Sequence, residues 1–218
     1  FDLALEIKKK ELGKKIHKIF LGKVYNGPYE STKVYPEENW STDMASKILG
    51  IYEEQVQFQI LKLQKKYKLK SIVNFGAADG YHIVSLIKNS FFKDGMAFEI
   101  DPFIKKILVK NININNLSKK IKIFGNANFN ETNRILSLKN LKKTLFLVDI
   151  EGEEFNLFIK KNLSSFKNSF LIIENHDFKN IKENSKNWIS KIYIKDDMHL
   201  NEFGHKIIAK KILKVGFN

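Results

Sequence analysis

An α/β fold, with a mostly parallel sheet carrying helices on both faces and a helical lead-in ahead of it, is what this 218-residue sequence predicts. Three observations lead there. From Lys70 onward, short apolar runs near 71–75, 95–100, 120–124, 144–150 and 169–174 alternate with longer amphipathic stretches, the pattern of strand and helix units joined by right-handed crossovers. The first run ends in a glycine-bearing turn, Gly76 to Gly80, that opens a helix. Polar and acidic residues cluster where the runs end, at the carboxyl edge where such sheets gather ligands.

Residues 1–69 read as the lead-in and 70–218 as the sheet domain. Residues 3–20 interleave lysines with Leu, Ile and Phe at helical spacing, so they form an amphipathic helix that covers the core or a partner, stopped by Asn26-Gly-Pro28. Tyr29 to Trp40, interrupted by Pro28 and Pro36, reads as an irregular aromatic loop. Ser41-Thr-Asp43 caps a further helix that runs, with a break at Gly50, to about Lys65. Such a segment suits a lid or a substrate wall.

The turn defines the chemistry of the site. In Ser71-Ile-Val-Asn-Phe-Gly-Ala-Ala-Asp-Gly-Tyr81, Gly76 and Gly80 permit positive φ and a close approach of ligand to backbone. The amides opening the helix from Tyr81 then point into the turn. About twenty residues on, Ala97-Phe-Glu-Ile-Asp101 ends the second strand in acids able to accept both ribose hydroxyl hydrogens, Glu99 being the better placed and Asp101 one alternation further. With only two glycines and no arginine for a pyrophosphate, the turn favours a smaller adenosyl ligand over a dinucleotide. S-adenosylmethionine fits that description.

Asn74-Phe-Gly-Ala-Ala-Asp-Gly-Tyr81, Phe98-Glu99, Val148-Asp-Ile-Glu-Gly-Glu-Glu154 and Ile173-Glu-Asn-His-Asp-Phe178, in this order, resemble the successive motifs of class I S-adenosylmethionine-dependent methyltransferases of the FkbM-like group. The Asp-x-Glu-Gly-x-Glu motif is the most diagnostic. Asn26-Gly-Pro-Tyr29 and Lys47-Ile-Leu-Gly-Ile-Tyr-Glu53 also resemble the lead-in of one branch of that group, so the resemblance spans roughly residues 24 to 180. It implies a Rossmann-like sheet, S-adenosyl-L-methionine as cofactor, and a sugar or polyketide hydroxyl as acceptor. The expected cofactor residues are Phe75, Gly76, Ala77, Asp79, Gly80, Tyr81, Glu99 and Asp149, with Asn126 and Ala127 near the adenine by position after the third strand. Asp149 and Glu151 would flank donor and acceptor, and Glu174 to His176 would face the acceptor.

Methyl transfer from a sulfonium asks the protein to orient a nucleophile in line and, for a hydroxyl, to remove its proton. His176 is the expected general base, because imidazole titrates near neutrality. Asp149, Glu174 and Asn175 also offer three hard oxygen ligands that could hold Mg²⁺, an arrangement similar to catechol-type O-methyltransferases. FkbM-like proteins are not generally metal-dependent, so an ordinary hydrogen-bonded strand end is favoured and no metal is expected.

Composition narrows the alternatives. Apolar residues at 43% and charged residues at 28% are ordinary for a globular domain. No apolar run reaches a membrane span and no signal-peptide pattern opens the chain, which starts at Phe1; with zero cysteines this suits a reducing cytoplasm and leaves no disulfide or cysteine zinc site. A net charge of +14 raises nucleic acid as a partner, but Arg134 is the only arginine, and bidentate phosphate and guanine readout favours arginine. Lysine pairs spread over polar helix faces fit a solvated surface better, so a small-molecule or glycan acceptor is expected rather than RNA or DNA.

The C-terminal part departs from the family pattern. Residues 189–195 can be a strand, but 204–215 reads as an amphipathic helix where a last strand is due. Asp196-Asp-Met-His-Leu-Asn-Glu-Phe-Gly-His-Lys-Ile-Ile-Ala209 resembles the Asp-x-x-His block of SGNH hydrolases, which places Asp196 and His199 as an acid and base. No Gly-Asp-Ser nucleophile turn occurs in the chain, so the block reads as a structural tail. A nucleic-acid methyltransferase, an SGNH-type hydrolase and a cofactor-binding module without catalysis are the rival readings.

Overall fold

The computed structural model describes residues 2–36, 42–126, 140–151, 157, 166 and 169–174. The chain divides into two compact units, 1–126 and 127–218. The strand at 189–195, the helix at 204–215 and the block at 196–209 lie outside the described residues.

The first unit holds α1 (Asp2–Ile19), α2 (Met44–Leu49), α3 (Glu54–Tyr67), β1 (Ser71–Phe75), α4 (Tyr81–Lys88), β2 (Asp94–Phe98), α5 (Pro102–Ile114) and β3 (Ile121–Phe124). Its strands run parallel in the order β3-β2-β1, the arrangement of one half of a Rossmann-like, doubly wound sheet. β1 and β2 are buried along nearly their whole length, which is why both lack the alternation of a one-sided strand. Register brings Phe75, Phe98 and Phe124 side by side at the strand ends. Their rings lie 4.7 and 5.0 Å apart, forming an aromatic row at the mouth of the sheet.

α4 is almost wholly buried, and its isoleucines explain a glycine in the neighbouring strand. A Cβ on Gly95 would stand 2.8 Å from Ile87 Cδ1 and 2.9 Å from Ile83 Cδ1, so the missing side chain is what lets α4 settle on β2. α5 starts with Asp101 as its cap, accepting from the amides of Phe103 (2.7 Å) and Ile104 (3.1 Å), and with Pro102 in the first turn.

In the second unit a short 3-10 turn at Leu141–Lys143 leads into β4 (Thr144–Val148), which pairs in parallel with β5 (Phe170–Ile173) from Leu145 opposite Phe170 to Val148 opposite Ile173. Among the described residues, the five strands fall where the apolar runs place them, and their pairings are parallel. The fold is α/β with a parallel, Rossmann-like sheet and an N-terminal helical lead-in.

Two features of the lead-in differ from expectation. α1 spans Asp2–Ile19, close to the expected 3–20, but its stop is Leu21-Gly22 rather than Asn26-Gly-Pro28: both adopt positive φ and the Gly22 amide closes on the His17 carbonyl at 2.8 Å. The His17 ring then holds the Val34 carbonyl at 2.8 Å. The described part of the aromatic loop, 29–36, is also tied to what precedes it: Lys23 bridges Lys33 in antiparallel fashion, and Val24, Tyr29 and Val34 are buried. α1 itself crosses α2 at Gly13, where a Cβ would meet Met44 Cβ at 2.9 Å, and leaves Leu3, Leu5, Leu12 and Ile19 exposed. No described helix is long and apolar enough to cross a membrane.

Candidate functional site

The turn after β1 is tied to the end of β2 by two hydrogen bonds. The Ala77 amide donates to the Phe98 carbonyl at 2.8 Å, and the Ala78 amide donates to Oε2 of Glu99 at 2.9 Å. The other carboxylate oxygen, Oε1, accepts from the Asp101 amide at 2.8 Å. Glu99 is therefore aimed at the glycine turn, and each of its oxygens keeps a lone pair beyond the bond it makes here. Gly76, Ala78 and Gly80 all take positive φ, at 70°, 48° and 84°; for Ala78 this is a rare backbone state, retained where the surroundings over-determine it.

Phe75 closes β1 at one end of the phenylalanine row, beside Phe98, and Gly76 and the buried Ala77 begin the turn. Gly80 takes the positive φ expected of it and also has a packing role. A methyl there would overlap the Leu108 side chain of α5 and lie 3.1 Å from Val84 Cγ2, so the glycine serves the packing of α4 against α5. Asp101, the more distant of the two acids, is consumed as the α5 cap. Asn126 lies exposed just past β3, and Ala127 falls outside the described residues.

Asp79 and Tyr81 face inward. Oδ2 of Asp79 lies 2.7 Å from the Lys47 ammonium, with both side chains under a tenth exposed, and Oδ1 accepts from the Tyr81 amide at 3.1 Å. The Asp79 carbonyl accepts from Nδ2 of Asn111 at 2.8 Å. Tyr81 donates its hydroxyl to the Lys47 carbonyl at 3.0 Å, and the ammonium stands 5.0 Å from the Tyr52 ring centroid and 5.9 Å from that of Tyr81. Removing one partner of such a buried pair generally costs about 3–5 kcal/mol, because it strands the other charge.

A second chain of contacts runs beside the first. The Tyr29 hydroxyl lies 2.9 Å from Nδ1 of His82, and Nε2 of His82 lies 2.8 Å from Oε2 of Glu53. In the neutral ring, a proton on Nε2 serves Glu53 and leaves Nδ1 to accept from Tyr29. Burial pushes the Tyr29, Tyr52 and Tyr81 hydroxyls well above the ordinary phenol range, and the nearby carboxylates of Glu53 and Asp79 push the same way.

The turn is thus backed by the lead-in. Lys47, Tyr52 and Glu53 come from the stretch 47–53, and Tyr29 from the stretch 26–29. α5 adds a clamp: Asn111 Oδ1 accepts from the Tyr35 amide at 2.7 Å, while Asn115 accepts from the Lys33 amide at 2.9 Å and donates to the Lys33 carbonyl at 2.7 Å. Sequence reasoning assigned no role to Lys47, His82, Asn111 or Asn115. Two polar residues four apart among Ile107, Leu108 and Ile112 were the available signal for the asparagine clamp.

The remaining expected residues belong to the second unit. Asp149 follows β4 directly and is half-buried, and Glu151, exposed, takes φ of 53°. Glu174 follows β5 and donates its amide to the Val148 carbonyl at 2.8 Å. Asn175 and His176 lie outside the described residues.

No protein-family model matches the chain, and no curated protein sequence does. Solved structures do resemble it. An O-methyltransferase from Bacillus cereus in complex with SAH shares 13% identity at a TM-score of 0.44, over 80% of this chain and 72% of that one. An O-methyltransferase family protein from Burkholderia thailandensis shares 10% identity at 0.40, over 59% and 38% of the two chains. TYW2 from Pyrococcus horikoshii, in complex with MeSAdo, shares 18% identity at 0.33, over 49% and 37%. The chain therefore spans well under two thirds of the last two proteins.

Proposed function

We propose that the chain is an S-adenosylmethionine-dependent methyltransferase that methylates a hydroxyl oxygen on a sugar, glycan or other small acceptor. One observation carries the cofactor half of this reading: the Glu99 carboxylate ends β2 and reaches the turn after β1, bonded to the Ala78 amide at 2.9 Å. A carboxylate in that setting, with an acceptor site left on each oxygen, suits the two hydroxyls of a ribose. The turn's two glycines and the absence of arginine from the stretch suit an adenosyl ligand without phosphates.

When bound, S-adenosylmethionine supplies a methyl group already activated on a sulfonium. The chain's own work is to hold the ribose through Glu99, to fix the turn residues Phe75 to Tyr81 around the ligand, and to align an acceptor oxygen. His176 is assigned the removal of the acceptor's hydroxyl proton, and Asp149 and Glu151 the flanking of donor and acceptor; the sequence motifs support these roles. Methyl transfer assayed by mass spectrometry over glycosides, polyols, phenols and RNA tests the reading. A gain of one methyl on a hydroxyl acceptor, abolished by His176→Ala at saturating acceptor, is expected. Tight cofactor binding with no methylated product from any acceptor would leave a binding module instead.

The net charge of +14 favours one other reading, a nucleic-acid methyltransferase. It requires retention on heparin and binding to RNA that falls steeply with salt.

A further inference from the structure

We infer that Lys47 and Asp79 are a positioning pair for the cofactor turn, through which the lead-in sets the affinity of the site; this rests on the cofactor reading above. The pair is largely withdrawn from water, its side chains 6% and 7% exposed and its charges 2.7 Å apart. A buried ion pair is seldom more stabilising than apolar side chains of the same volume, so its presence calls for a role beyond stability. What it fixes is a place.

Asp79 is held from three elements: by Lys47 of α2, by the Tyr81 amide at the start of α4, and by Asn111 of α5, which takes its carbonyl. Its chain neighbour Ala78, in the left-handed region at φ of 48°, presents the amide that holds Glu99. Displacing Asp79 moves the Ala78–Asp79 peptide and, through the constrained Ala78 torsions, turns the preceding Ala77–Ala78 peptide, so Glu99 loses the bond that points it at the turn. Lys47 is itself fixed, its ammonium against the Tyr52 and Tyr81 rings and its carbonyl against the Tyr81 hydroxyl. One rigid path therefore runs from α2 through Asp79 and Ala78 to Glu99.

The test separates positioning from stability. S-adenosylhomocysteine is titrated calorimetrically into the full chain, wild type, Lys47→Met, and the double variant Lys47→Met with Asp79→Leu, while urea unfolding gives stability and amide exchange reads the Ala78 N–H. The double variant removes both charges and is expected to recover most of the urea midpoint lost in Lys47→Met. It should still bind S-adenosylhomocysteine about tenfold or more weakly, with the Ala78 amide exchanging faster by a similar factor and the β1 amides unchanged. Wild-type affinity in either variant, or an Ala78 amide as protected as in the wild type, overturns the inference while leaving the cofactor reading intact. If the double variant does not fold, Asp79→Asn, which keeps the side chain's shape, decides by the same two readouts. No binding to the wild type removes both.

Discussion

Gly80 and Leu108 share one space: a methyl group added to the glycine would overlap the leucine side chain, and the glycine's φ of 84° is one that L-residues avoid. Gly80→Ala is therefore expected to destabilise by about 2–4 kcal/mol, roughly one part for the backbone and the rest for overpacking. With Leu108→Ala already in place, the same substitution should add only about 1 kcal/mol, the backbone part. Urea unfolding of the four proteins measures this coupling. Strict additivity would place the clash elsewhere.

Asn111 and Asn115 hold the side of the 33–35 backbone that faces away from its bridge to Lys23. Asn111→Ala leaves the Tyr35 amide and the Asp79 carbonyl without their present partner, and Asn115→Ala does the same to both polar groups of Lys33. A loss of about 1–3 kcal/mol is expected for each. In amide exchange, the Tyr35 N–H should lose protection in Asn111→Ala, and the Lys33 N–H in Asn115→Ala. An unchanged protection pattern would contradict the clamp.

The buried phenols make stability fall at alkaline pH. Tyr29, Tyr52 and Tyr81 are raised by burial first, then by a neighbouring carboxylate for Tyr52 and Tyr81 and by the Tyr81 phenol for Tyr29, so the folded chain keeps protons that the unfolded chain gives up near the ordinary phenol value of about 10. Their contribution is complete below that pH and is lost as pH rises above it, each phenol contributing a slope of about 1.4 kcal/mol per pH unit. Ultraviolet titration should show Tyr29, Tyr52 and Tyr81, among the chain's seven tyrosines, ionising only as the chain unfolds. Smooth ionisation of all seven in folded protein would disprove this burial.

The strands and the Glu99 turn were legible because buried parallel strands leave contiguous apolar runs, and because turn chemistry is local. Gly50 was legible as a break for the same reason; its φ of 82° places the missing Cβ against the backbone of Asn26. The pairings were not. Tyr29 reaches His82 across 53 positions and Lys47 reaches Asp79 across 32, and no periodicity encodes which distant residues meet. The lysine-rich composition hid Lys47 further, since one buried lysine looks like the exposed ones. Likewise α1 ends where His17 meets Val34, a long-range contact, rather than at the nearest Gly-Pro.

Calorimetric titration of S-adenosylhomocysteine into the wild type and into Glu99→Ala tests the central claim most directly. Binding to the wild type, weakened about tenfold or more in Glu99→Ala, corresponding to at least about 1.4 kcal/mol, is the expected result. The Ala78→Gly protein, which keeps the amide that Glu99 accepts, should bind within about threefold of wild type. Equal affinity in wild type and Glu99→Ala, or no binding to a folded wild type, would contradict the account.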